Sequence, residues 1–150
     1  MSEVTDIKAG IKGIIASTLG SSYSELSYTM DVEKNNFKGN TNRYGVLAGA
    51  LDQNESRGCM GKYTVDQVYT VKFTDSYGSK PTSDEAQVAT IDDLLNKALV
   101  LYKNLVNNQA GAPSVVTMVE NLRILEPKSI EGSNLVVITM EINITYRKVL

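Results

Sequence analysis

The chain has no histidine anywhere in its 150 residues. That absence removes the commonest general base, the commonest zinc ligand and every Ser-His or Cys-His nucleophile pair. Cys59 is the single cysteine, so no intrachain disulfide can form, which fits a reducing compartment. No apolar run reaches the length of a membrane span, and Met1–Asp6 lacks a basic region followed by an apolar core, so no secretory signal is expected. Neither sign of charge predominates. A formal net charge of −2 gives no global attraction to nucleic acid or to an acidic membrane. Neither a calcium-loop pattern nor a phosphate-binding Gly-Lys-Ser/Thr motif occurs. An enzyme would need an unusual lysine, tyrosine or carboxylate centre, and no enzymatic activity, cofactor or metal is expected.

What the chain does have is alternation. From Asn134 to Arg147, Val136, Ile138, Met140, Ile142, Ile144 and Tyr146 share one face, while Thr139, Glu141, Asn143 and Thr145 share the other. A side-chain period of two predicts a long closing strand with a buried side and a wet side. Tyr63, Val65, Tyr69, Val71 and Phe73 repeat the pattern earlier, interrupted by Gln67. Tyr44–Leu51 is a shorter apolar segment with Gly45 and Gly49 inside it, a strand that another backbone can approach closely. Val116, Met118, Leu122 and Ile124 predict a further strand.

Two helices complete the pattern. Ile7, Ile11, Ile14, Ile15, Thr18 and Leu19 recur at helical spacing; Gly10 and Gly13 weaken that helix, so it depends on docking, and it ends near Gly20. The second runs from a capping box of Thr82 and Glu85 to Asn107. Its apolar stripe is Ile91, Leu94, Leu95, Ala98, Leu101, Tyr102 and Leu105. The expected class is α+β: one domain over 1–150, order α-β-β-α-β-β, a mainly antiparallel sheet with helices on one face.

Candidate chemistry is sparse. Cys59 has Arg57 near it in sequence, but a lone cysteine between Gly58 and Met60 reads more naturally as a small packed residue. Asp92 and Asp93 are neighbours on a helix, point apart and cannot share a proton. Lys34, Lys38 and Arg43 lie in a polar stretch with Phe37 and Tyr44, a mixture that can stack bases; Asp31, Glu33 and the asparagines dilute its charge. Asp31–Arg43, Gln53–Cys59 and Tyr77–Pro81 read as polar loops. Lys34, Lys38, Arg43, Arg57 and Lys80 are the candidate partner-contact residues on them.

The succession of elements resembles the tail terminator proteins of long-tailed bacteriophages and related head-to-tail joining proteins. The resemblance is carried by the N-terminal amphipathic helix, the long strand Tyr63–Thr74, the acidic-capped helix Thr82–Asn107 and the strand Val115–Leu125. The closing strand ends Glu141-Ile142-Asn143-Ile144-Thr145-Tyr146-Arg147. It implies a structural virion protein of the tail or neck, assembled in the host cytoplasm. Such a protein forms a homo-oligomeric, hexameric ring that caps the tail tube, ends its polymerisation and receives the head-side neck or connector proteins. DNA would pass through the ring without specific recognition, and no membrane is involved. The alternative is a ferredoxin-like module that binds a ligand or peptide.

Overall fold

The computed structural model describes residues 2–26, 32, 34, 42–53, 62–76, 84–130 and 135–149. Its elements are α1 (Glu3–Leu19), β1 (Ser24–Glu25), β2 (Arg43–Gln53), β3 (Lys62–Ser76), α2 (Asp84–Asn107), a 3-10 turn (Gln109–Gly111), β4 (Val116–Ile124), β5 (Lys128–Ser129) and β6 (Leu135–Val149). The long elements follow the expected order, and the fold is α+β. Spatially the sheet runs β1-β2-β3-β6-β4, with β5 also on β6. Every pairing is antiparallel except β1 on β2, which makes the sheet mixed.

The two best-patterned strands form its centre. β3 and β6 pair without a register break from Lys62↔Val149 to Ser76↔Leu135. The inward set predicted for β6 is the set observed: Val136, Ile138, Met140, Ile142, Ile144 and Tyr146 are all buried. Gln67, the polar residue on the inward face of β3, is also buried. It donates from Nε2 to the Gly49 carbonyl oxygen at 3.1 Å, and its Oε1 accepts from the Tyr146 hydroxyl at 2.8 Å. A buried amide costs little once both ends are hydrogen-bonded. Burial raises the pKa of the Tyr69 phenol well above its usual range, and the neighbouring Tyr146 adds to this.

Both helices cover this same face. Ile7, Ile11, Ile14 and Ile15 of α1 and Leu94, Ala98, Leu101 and Leu105 of α2 join the inward residues of the sheet in one core. Ser2 caps α1 by accepting from the Thr5 N–H at 3.2 Å, and Gly20 closes it with φ 91°. The docking that α1 requires comes partly through Gly10. A Cβ there would run into the Ala110 carbonyl and lie 2.8 Å from the Gly111 carbonyl carbon. Gly111, at φ 71°, faces it in the left-handed region that favours glycine. Gly13, by contrast, has open space around its Cβ position.

Two expectations about strands need adjustment. At β4, Met118 does not share an inward face with Val116: it is half exposed, and Val119 is buried instead. The register slips between Val116 and Met118, and again between Glu120 and Arg123, where Asn121 takes φ 59°. Each bulge adds a residue and turns the following side chains over. In β2, the backbone approach expected at the glycines occurs at Gly49, whose Cβ would sit 2.9 Å from the Val68 carbonyl oxygen. At Gly45 the neighbour is the Val32 side chain. Val32 belongs to a small second cluster with Leu26, Leu135 and Val137 on the outer face of the sheet. The capping residue Thr82 lies outside the described residues.

Two outcomes follow from this packing. Gly13→Ala should stabilise the domain by about 0.5–1 kcal/mol, whereas Gly10→Ala should destabilise it by about 1–3 kcal/mol, both read by chemical denaturation. If Gly10→Ala stabilises the domain as Gly13→Ala does, α1 does not dock on the Gln109–Gly111 turn. Ile142→Asp, an unpaired charge at a site with no exposure, should abolish the folding transition; a soluble, cooperative variant would mean that β6 faces the other way.

Candidate functional site

Away from the small cluster of Leu26, Val32, Leu135 and Val137, the outer face of the sheet is largely polar. β3 contributes Asp66, Thr70 and Lys72; β6 contributes Thr139, Glu141, Asn143 and Thr145. These meet in register: Glu141 stands between Thr70 on one side and Arg123 of β4 on the other. One hollow of about 340 Å³ is lined by Asp66, Val68, Asn121, Arg123, Glu141 and Asn143. A second, of about 300 Å³, includes Leu47, Lys72, Glu126, Lys128 and Thr139. Much of this polarity is internally committed. Thr145 Oγ1 donates to Asp66 Oδ1, and Lys72 Nζ donates to the Val32 carbonyl oxygen at 3.1 Å. Among the described residues no three cysteine or carboxylate side chains gather to hold a metal ion. No described helix is long and apolar enough to cross a membrane.

The helical face is organised by Lys97. Its ammonium lies 2.7 Å from Asp75 at the end of β3 and 3.2 Å from Asp93 one turn back, and 5.9 Å from the Tyr23 ring centroid. Burial lowers its pKa, but the hydrogen bonds to Asp75 and Asp93 outweigh that and leave it above the ordinary lysine value. Tyr23 in turn meets Phe73 edge to face at 6.5 Å. Asn104 Nδ2 donates to Thr18 Oγ1 at 2.9 Å. These contacts settle which side of α2 faces α1. Asp93 is therefore an ion-pair partner of Lys97, while Asp92 is exposed, so the adjacent aspartates point apart as expected.

The opposite flank of α2 is where sequence reasoning fell short. The single stripe expected from Ile91 to Leu105 divides. Leu94, Ala98, Leu101 and Leu105 are buried; Ile91, Leu95 and Tyr102 are only partly covered. Beyond them Val88 is 56% exposed, Leu99 52% and Val106 40%. α2 packs on β4 and β6 and against α1, so a flank turned away from α1 overhangs β4, the sheet edge. The available signal was the width of the apolar sector, which exceeds the ~100° that one buried face needs.

Of the predicted contact residues, Lys34 and Arg43 are described. Lys34 is exposed in a turn beside buried Val32. Arg43 is the first residue of β2; its N–H donates to Thr74 Oγ1 at 2.9 Å, and the residue is half-buried. Tyr44 pairs with Phe73 and is buried, so it offers no face for base stacking. Lys38, Arg57 and Lys80, together with Phe37 and Cys59, lie outside the described residues.

No protein-family profile matches the chain, and no curated protein matches it. Among solved structures, one similar chain comes from the "Virion of native gene transfer agent (GTA) particle". It has a TM-score of 0.39 and 9% identity, over 97% of this chain and 95% of that one. At that level of likeness the neighbour carries no argument about this chain's role.

Lys97→Met should lower stability by about 1 kcal/mol, because the ion pairs are partly solvated, as measured by urea denaturation at low salt. A raised lysine pKa means that this contribution is fully present below the ordinary value of 10.5 and fades only as pH rises through the higher folded-state value. A loss that is already complete at pH 9 would contradict the assignment.

Proposed function

We propose that the chain is a structural virion protein of the tail-terminator type: a ring of copies that caps the tail tube, ends its polymerisation and presents a docking surface to the head-side neck. The observation that supports this most is the apolar flank of α2 above the β4 edge. Apolar side chains aligned on one helix and left in water are a contact surface awaiting a protein. Heterologous contacts between one such surface and a different patch on the next copy close into a ring when the rotation closes. The α+β order supports the reading as well, since it is the order the tail-terminator resemblance implies, though a fold admits many functions. A ligand-binding module would ask for an apolar pocket with a few convergent polar groups; the two hollows on the outer face are lined largely by charged and polar side chains, and a hollow of about 550 Å³ between α1 and residues 111–115 has a mainly apolar lining but is shallow.

The direct test adds the purified chain to polymerising tail-tube protein from the same particle and measures tube length by negative-stain microscopy. Capping predicts shorter tubes with a six-membered ring at one end. Tubes of unchanged length with bare ends would rule the reading out. Replacing Lys34, Lys38, Arg43, Arg57 and Lys80 by serine, with folding verified by circular dichroism, asks whether those positions contact the tube or neck; undiminished capping and joining would remove them from the contact surface.

A further inference from the structure

The exposed flank of α2 has an internal symmetry that specifies its occupant. Val88, Leu95, Leu99 and Val106 follow one another at intervals of seven, four and seven residues. At 3.6 residues per turn these positions lie within one narrow sector, on the side away from the Lys97 and Asn104 contacts to the rest of the domain. The spacing reads the same in both directions. When two such helices lie antiparallel about a two-fold axis, Val88 of one faces Val106 of the other, and Leu95 faces Leu99. Seven-residue spacing of this kind is what a helix–helix seam uses.

The charges bordering the seam follow the same symmetry. Asp92 and Lys103 are exposed and lie along the same margin of the sector, one in each half of the helix. Antiparallel pairing brings Asp92 of one copy beside Lys103 of the other, twice per pair. In a parallel two-fold pair this margin of one helix would meet the opposite margin of the other, and the Asp92–Lys103 pairing would be lost. Apolar spacing and bordering charge thus favour the same partner in the same orientation.

We infer that the α2 flank is an isologous interface with a second copy of this chain, formed by antiparallel two-fold pairing through Val88, Leu95, Leu99 and Val106. The pairing goes beyond the ring reading, because a rotational ring joins two different patches whereas this contact joins a patch to itself. It describes the free chain, in which the apolar flank is covered before any larger assembly forms.

The test is sedimentation velocity of the full chain at about 1–200 µM, the range in which a small two-fold interface is read. The expected species is a two-chain particle. Leu99→Asp, at a half-exposed position, should give a monomer with an unchanged circular dichroism spectrum. Asp92→Lys and Lys103→Asp should each weaken the pair roughly tenfold through two lost ion pairs, and the combined variant should regain the original affinity. A monomer throughout the range would overturn the inference, as would self-association indifferent to Leu99→Asp or a combined charge swap no tighter than its parents. The two proposals fail separately. A free chain that stays monomeric at every concentration yet still caps tubes would sink the two-fold interface and leave the tail reading standing, whereas an intact pair with no capping would do the reverse.

Discussion

The antiparallel ladder between β3 and β6 is the constraint on which the rest of the domain depends. Fifteen residues of each strand pair without a slip, so the backbone groups they turn toward each other are satisfied along the whole length and their inward side chains form one continuous apolar floor. Each further element is placed against that floor or its margins. β2 extends it on one side and β4 on the other; α1 and α2 lie across it. A one-residue slip in this ladder would turn every inward side chain of one strand outward. The buried Gln67, hydrogen-bonded to Tyr146 across the pair and to Gly49 in β2, adds a polar marker for the register of three strands. Apolar side chains alone would tolerate a shift more readily than a buried amide with two specific partners.

The helices are held to the floor by two unlike devices. α1 approaches the Gln109–Gly111 turn at the Gly10–Gly111 contact, where neither position has room for a side chain. α2 is joined to the sheet end and to the residue before β1 through Lys97, with Asp75, Asp93 and Tyr23 around it. The first is a steric condition, sharp and independent of salt. The second is electrostatic and partly solvated, so its strength falls as salt screens it. With α1 and α2 fixed in this way, the far flank of α2 has no element of the described fold to cover it, and it projects over β4. The surface proposed for assembly is therefore a consequence of how the two helices divide the floor.

The two faces of the sheet carry different kinds of information. The helical face is the core. The outer face, with Asp66, Lys72, Arg123 and Glu141, is a mosaic of charges and hydroxyls, in which Thr145 bonds Asp66 and Lys72 bonds the Val32 carbonyl. Such a face tolerates substitution and supports contact with polar surfaces, whereas the α2 flank, an apolar seam edged by Asp92 and Lys103, sets a stricter geometric demand on whatever meets it. For a protein whose role is sought in assembly, that seam is the more specific of the two surfaces.

The chain's own residues determined the strands and helices wherever a period is unbroken. The alternation in β6 and β3 was legible because neighbours two apart share a face whatever lies opposite, and the α1 stripe and its stop at Gly20 were legible for the same local reason. The tertiary structure alone decided what depends on residues distant in sequence. The slip in β4 that turns Met118 out and Val119 in arises from pairing with β6. The burial of Tyr44 arises from its place beside Phe73. Gly10, locally a weakness, is a docking position only because Ala110 and Gly111 are folded against it. The α2 flank was missed because a helix's own periodicity says which residues align, while only the positions of α1 and the sheet determine which of its aligned sectors is covered and which is left facing water.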